Sequence, residues 1–344
     1  MSPLLDSIIE EDILHLLKIL RERDIEFENE VFLVTGGAGF LGSWICDILI
    51  LLGARVLCID NLSTGRLDFI DHLLKDKNFS FIDHDIIKGL PGINGKINYV
   101  LHLASRASPE DYMKHPVETA LVNSLGTYYA LELTRKCDAI FLLTSTSEVY
   151  GDAQVIPTPE SYWGNVNPIG IRACYDEGKR FAEALALSYC REYGLDVRIS
   201  RIFNTYGPRL RADGPYARVV TRFIHQALKN EPLTVHGDGS QTRSFTYVRD
   251  TIEAHMLILF KEECRGEVIN IGNNVETKII DLAKFIIKLT GSRSSIVFTE
   301  PREDDPRRRC PDIAKAMSLL GWKPLTSLEE GLKKTIGWYR FSIS

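Results

Sequence analysis

Tyr175 and Lys179 stand four residues apart in the segment YDEGK, a spacing that puts both on one face of a helix. A phenol with a reference pKa of about 10 is a poor base at neutral pH, but a neighbouring ammonium favours the phenolate. The same pair arises by chance on solvated helices, so its surroundings must give it meaning. Thr146 follows the apolar run AIFLLT of residues 139–144. A hydroxyl at a strand end, followed by Tyr and Lys on a helix of the same lobe, is a layout for removing a proton and a hydride from a carbinol. Lys179 is also placed to hold the ribose of a nicotinamide.

A hydride needs an acceptor, and TGGAGFLG at 35–42 lies between an apolar strand run and an apolar helix. Gly36, Gly39 and Gly42 allow a tight turn, a close approach to a pyrophosphate and helix-on-sheet packing, with the helix N-terminus facing the anion. Alone, such a loop is also compatible with a turn that binds nothing. Asp60, ending the second apolar run, adds the acceptor for an adenosine ribose, and its charge repels a 2′-phosphate. NAD is therefore expected over NADP, with Arg66 in DNLSTGR (60–66) as the counter-indication.

These groups need a scaffold, and the patterning supplies one. VFLVT (31–35), ARVLCID (54–60), FSFID (79–83), YVLHLA (99–104), AIFLLT (139–144) and VRISRI (197–202) are near-continuous apolar runs. Such runs suit strands buried on both faces of a parallel sheet, and the segments between them are long enough for crossover helices. The expected fold class is α/β, a doubly wound parallel sheet (Rossmann) with a smaller mixed C-terminal substrate-binding lobe. Its nucleotide domain is placed at 29–205 plus about 240–275, the second lobe at about 206–239 plus 276–344, and a helical appendage at 1–28. The appendage reads as amphipathic and acidic, packing on the body of the protein.

With 344 residues, 44% hydrophobic and 25% charged, the chain has ordinary globular composition, which excludes collagen-like and largely disordered classes. Seven scattered cysteines without a CxxC favour neither a disulfide framework nor a zinc site. The histidines form no HExxH or HxH pair, so no metal is expected. A reducing, cytoplasmic setting fits. A net charge of -5 gives no global attraction for nucleic acid. No apolar run approaches the roughly 18 residues of a membrane span.

Taken in order, TGGAGFLG, HLAS (102–105), TSTSEVYGD (144–152), YDEGK and RIFNTYGPR (201–209) make the chain resemble the extended short-chain dehydrogenase/reductase family. Within it, ESYWGNVNPIGIRACYDEGKR (160–180), LTVHGDGSQTRSFTYVRD (233–250), DDPRRRCPDIAKA (304–316) and LGWKP (320–324) are most similar to the UDP-glucuronate decarboxylases. Related 4,6-dehydratases carry Thr-Asp-Glu where this chain has Thr146, Ser147 and Glu148, so the acid for eliminating water is missing. Simple 4-epimerases lack the carboxylate of Glu148.

The resemblance implies NAD-dependent oxidation at C4 of UDP-glucuronate, loss of carbon dioxide and return of the hydride to give UDP-xylose. The alternatives are a 4,6-dehydratase, a 4-epimerase, release of the 4-keto pentose, or a non-catalytic dinucleotide-binding protein. Thr146, Ser147, Glu148, Tyr175, Lys179 and Arg309 are the implied catalytic set, although Arg307, Arg308 and Arg309 by themselves read as a solvated charge run. Phe40, Leu41, Asn61, Leu62, Thr64, Gly65, Asp85, Ile86, Leu103, Ser105, Thr205 and Arg218 join the glycines, Asp60, Tyr175 and Lys179 at the cofactor. Asn204, Val219, Thr234, Gln241, Arg243 and Tyr247 join Thr146, Tyr175 and Arg309 at the UDP-sugar. Arg106 is placed near the nicotinamide, touching phosphate or only solvent. LRADGPYA (210–217) is longer than this subfamily leads one to expect. The resemblance further implies a homodimer that pairs the helix preceding YDEGK with the one containing it; membrane-anchored relatives exist, but no anchor is expected in this chain.

Overall fold

Seven parallel strands form the central sheet of the computed structural model, which describes residues 3–93 and 95–343. The outermost ends of the appendage and of the second lobe, at residues 1–2 and 344, fall outside the described residues. The strands are β1 (Val31–Thr35), β2 (Arg55–Asp60), β3 (Phe79–Asp83), β4 (Tyr99–His102), β5 (Ile140–Thr146), β6 (Asp196–Ile202) and β7 (Val268–Ile271). Their order across the sheet is β7-β6-β5-β4-β1-β2-β3. The apolar runs become central strands because helices cover both faces. Phe32, Leu33, Val34, Leu101, Leu142 and Leu143 are wholly buried, and each such side chain contributes about 1.5–3 kcal/mol.

The order reverses between β1 and β4, and ligands of open α/β sheets bind outside the carboxyl ends of strands at that reversal. The loop after β1 leads into α1 (Phe40–Leu51). Gly36 has a φ of +72°, and a Cβ there would lie 2.7 Å from the Ala104 nitrogen. At Gly42 a Cβ would meet the Gly36 carbonyl oxygen at 2.2 Å. Only glycine lets the turn and helix close against the sheet here.

The chain returns to this sheet late, since β7 pairs with β6 in parallel from Val268↔Ile199 to Ile271↔Ile202. Among the described residues, three short pairs lie outside it, Thr205–Tyr206 with Thr246–Tyr247, Leu233–His236 with Ile296–Thr299, and Thr242–Ser244 with Glu276–Lys278.

The N-terminal helix Pro3–Arg21 buries Ile9, Ile13, Leu16, Leu17 and Leu20, one apolar stripe at helical spacing. It packs against the helices Val248–Phe260 and Leu328–Ile343. Its Asp12 is fully buried and accepts hydrogen bonds from the Tyr247 hydroxyl at 2.6 Å, Arg249 at 3.2 Å and Lys334 at 2.7 Å. Tyr247, expected at the substrate, is therefore a core residue. Its ring is 1% exposed, and a buried phenol settles where its hydroxyl finds an acceptor.

Candidate active site

Two clefts meet at Tyr175. One runs along the carboxyl ends of the strands around β1 and is lined by Gly36, Gly39, Phe40, Leu41 and Gly42, by Asp60, Asn61 and Thr64, and by Asp85 and Ile86. Leu103, Ser105, Lys179, Thr205 and Arg218 complete it. Leu62 and Gly65 do not line it; they shape the turn that holds Asp60. The Leu62 amide donates to Asp60 Oδ1 at 2.8 Å, and a Cβ on Gly65 would come within 2.9 Å of both carboxylate oxygens. The Ala38 amide donates to Oδ2 at 3.0 Å. Burial pushes the Asp60 carboxyl up, while these amides stabilise its charged form. Each oxygen keeps a second lone pair for a ribose hydroxyl.

Arg66 is spent on Asp68, at 2.9 and 2.6 Å, and is absent from the cleft wall. Arg106 lines the cleft, with its guanidinium held by Asp111 and Glu118. Ser105 Oγ is buried without a hydrogen-bond partner. The glycine cradle, Asp60 and this free hydroxyl together fit a dinucleotide.

The second cleft shares Tyr175, Thr205 and Arg218 with the first and adds Thr146, Ser147, Glu148, Asn204, Val219, Thr234, Gln241, Arg243 and Arg309. Thr146 ends β5, so the strand register places it, and its hydroxyl accepts from the Glu148 amide at 3.2 Å. Tyr175 lies in the first turn of α2 (Ala173–Tyr193) and stacks on Tyr112 with centroids 5.0 Å apart and planes 1° from parallel. Burial pushes the Tyr175 phenol up to about 12, opposed by the Arg218 guanidinium and a hydrogen bond with Thr146. Lys179 donates to the Thr144 carbonyl at 3.0 Å, and burial lowers its ammonium to about 8. Arg218 thus opposes burial of the phenol, and Lys179 lies one helical turn along α2 in the same cleft.

The strongest electrostatic feature is around Glu148. Arg309 approaches it bidentately, 2.7 Å to each oxygen, and Arg172 adds a contact of 2.6 Å. Burial would raise this carboxyl, but Arg172 and Arg309 overcome it and hold it at about 2. The basic run is divided: Arg309 is buried here, whereas Arg308 faces solvent and pairs with Glu276. Asp176, next to Tyr175, goes the other way, to about 8, through burial and the charge of Glu148. Arg243 pairs with Asp305 at 2.9 Å, and the Asn204 amide donates to the Ser244 carbonyl at 3.0 Å.

Sequence reasoning missed Arg172, Tyr112 and Asp176. Arg172 had one local signal, a position three residues before Tyr175 that shares its helical face. Tyr112 had none, because its stacking depends on how the short helix Pro109–Lys114 packs against α2.

The fold and the paired clefts define a Rossmann-type dinucleotide-binding scaffold joined to a second cleft lined by charged side chains. The family model described as GDP-mannose 4,6 dehydratase matches residues 33–335. UDP-glucuronic acid decarboxylase 1 of Xenopus tropicalis is 46% identical over 324 residues, covering 94% of this chain and 74% of that one. UDP-glucuronic acid decarboxylase 6 of Arabidopsis thaliana is 46% identical over 314 residues, covering 91% of this chain and 90% of that one. Among solved structures, UDP-glucuronic acid 4-epimerase from Bacillus cereus, in complex with UDP-glucuronic acid and NAD, aligns with a TM-score of 0.80 at 30% identity, covering 91% of this chain and 99% of that one. UDP-glucose 4-epimerase from Thermotoga maritima, with UDP-glucose, gives a TM-score of 0.82 at 33% identity, covering 91% and 100%. The chain belongs to this extended short-chain dehydrogenase/reductase family, with the UDP-glucuronic acid decarboxylases among its relatives.

Proposed function

We propose that the protein is an NAD-dependent UDP-glucuronate decarboxylase that forms UDP-xylose through a 4-keto intermediate and internal hydride return. The observation that carries this is the part-buried Glu148 held between Arg172 and Arg309 beside Tyr175. It is a place built to manage carboxylate charge next to a general acid/base. NAD, when bound, would accept the C4 hydride and give it back.

Tyr175, hydrogen-bonded with Thr146, is placed to take the C4 hydroxyl proton, and Arg218 favours the phenolate. Oxidation at C4 makes the substrate a β-keto acid, whose carboxylate leaves as carbon dioxide when the ketone oxygen accepts the electron pair. Tyr175 and Thr146 then stabilise that enolate oxygen by hydrogen bonding. Arg172 and Arg309 orient the departing carboxylate, and Ser147 and Glu148 border C5, where a proton must arrive. Arg243 and Asn204 are assigned to the diphosphate, and Val219, Thr234 and Gln241 to the uridine side.

A homodimer is part of the same reading. Val117, Leu125 and Tyr128 on the segment before YDEGK, and Phe181 on α2, are exposed apolar side chains that pairing of these helices would cover. All seven cysteines are free, which supports a cytoplasmic location. No helix among the described residues is long and apolar enough to cross a membrane.

The test is incubation of purified protein with UDP-glucuronate and NAD, following carbon dioxide and the sugar nucleotide by mass. Release of carbon dioxide with UDP-xylose is expected. Release with accumulating NADH identifies the 4-keto pentose as the product, and no release overturns the proposal.

A further inference from the structure

The segment between Arg209 and Arg218 crosses the cofactor cleft and is hydrogen-bonded to both of its walls. β2 and β4 lie on opposite sides of β1, so the loops that follow them flank the glycine loop. On the β2 side, Arg211 Nη1 donates to the Thr64 carbonyl at 3.1 Å, and the Tyr216 hydroxyl donates to the Ser63 carbonyl at 3.2 Å. On the β4 side, Ser108 Oγ donates to the Pro215 carbonyl at 2.5 Å, and Arg218 Nη2 donates to the Ala107 carbonyl at 3.2 Å. A segment bonded to both loops must pass over what lies between them. Arg211 and Tyr216 themselves line the cleft.

The ends of this segment are held to the body of the protein, and its middle is held to the two loops by the bonds just described. Before it, Trp44 Nε1 donates to the Pro208 carbonyl at 3.2 Å, and Arg209 pairs with the buried Asp47 at 2.7 Å. After it, the buried Thr221 hydroxyl accepts from the Arg218 amide at 3.1 Å and reaches the Arg211 carbonyl at 3.0 Å. Between these anchors the backbone turns through left-handed conformations at Arg209 (φ 67°) and Gly214 (φ 48°). The Arg211 guanidinium lies 3.5 Å from the centroid of the Tyr216 ring, so the two side chains act as one unit against the Ser63 and Thr64 carbonyls. Arg211 also pairs with Asp213, and the bonds of this unit to the loop after β2 involve none of the anchor bonds.

We propose that residues 209–218 are a strap that retains the dinucleotide between turnovers, with Arg211 and Tyr216 as its latch. The cofactor then behaves as a resident group rather than exchanging at every cycle. Chemistry in which a hydride is lent and returned has no need of exchange, and a strap that must open for release suits it. The inference rests on the dinucleotide reading of this cleft and not on which sugar nucleotide is processed.

The test measures release of bound NADH by loss of its fluorescence after addition of excess ADP-ribose. The R211M/Y216F double variant removes both latch bonds, and Ser108→Ala removes one bond to the other wall. Release at least roughly tenfold faster in the double variant is expected, as the loss of two hydrogen bonds implies, with a smaller acceleration for Ser108→Ala. Release within twofold of wild type, at unchanged melting temperature, overturns the strap. If the double variant does not fold, hydrogen exchange of the wild-type chain decides: protection of the 210–217 amides must rise on adding NAD, and equal protection with and without NAD overturns the proposal. Absence of any NAD binding by wild type would instead remove the cofactor reading itself. Slow NADH release without carbon dioxide formation would leave the strap standing and sink the decarboxylase assignment.

Discussion

The cofactor cleft and the carboxylate end of the substrate cleft meet at one tyrosine but are built on opposite principles. The first is mostly backbone: glycines that let chains approach, amides that hold Asp60, and carbonyls that anchor the strap. The second is mostly side-chain charge, with Arg172, Arg243 and Arg309 buried and Glu148 and Asp305 part-buried within one network. Backbone recognition costs little desolvation and tolerates change in the side chains around it. A buried ion network is stable only when complete, because removing one member strands another's charge. Damage at the two ends should therefore differ in kind as well as size.

The largest expected effect falls where the two regions join. Tyr175→Phe should lower carbon dioxide release by about 10²–10⁴-fold, the usual range for a general acid/base, while NAD affinity measured by titration stays within a few-fold. A variant that kept full activity would refute the mechanism. Next comes Arg309→Met, which removes the bidentate partner of Glu148 and leaves it with Arg172. It should cost about 1.5–3 kcal/mol of stability, read from urea unfolding, and should raise KM for UDP-glucuronate far more than it weakens UDP, which has no carboxylate.

The same network sets an acid limit. Glu148 is held at about 2 in the fold, against an ordinary 4.5, so its contribution is fully present above about pH 4.5 and is lost as pH falls toward 2. Glu148→Gln should therefore flatten the fall in unfolding free energy over that window, and an unchanged acid limb would mean the network is not what fails there.

At the backbone-built end the consequences should be gentler. Asp60→Ala should weaken NAD by about tenfold, roughly the loss of one charge-assisted hydrogen bond, and should narrow the gap between NAD and NADP in titrations, with the decarboxylation rate recovering at saturating NAD. The smallest effect on activity is expected from Tyr247→Phe. Removing its bond to Asp12 should cost about 1.5–3 kcal/mol of stability and leave KM within twofold. A large rise in KM would return Tyr247 to the substrate cleft.

The difference between the regions also explains what could be read from residue order. The strands, the glycine loop and Asp60 are contiguous or close in the chain, and their periodicity and spacing carry the physics directly. Tyr175 and Lys179 were legible for the same reason, being one helical turn apart, although which cation faces the phenol was not. Arg309 and Arg308 look alike in sequence, yet one is buried against Glu148 and the other faces solvent. The resemblance places Tyr247 at the UDP-sugar, and the packing of the N-terminal helix puts it in the core instead. The strap was visible as an over-long loop, without a hint of what it crosses.

By itself, then, the order of residues determined the parallel sheet, the dinucleotide loop and the family, since these depend on local backbone freedom and short-range periodicity. Tertiary structure alone decided which arginines meet Glu148, where Tyr247 and Asp12 are buried, and what the 209–218 segment spans. Glu148 and Arg309 are 161 residues apart, and no local spacing encodes a contact made only when the completed sheet brings two distant loops to the same edge.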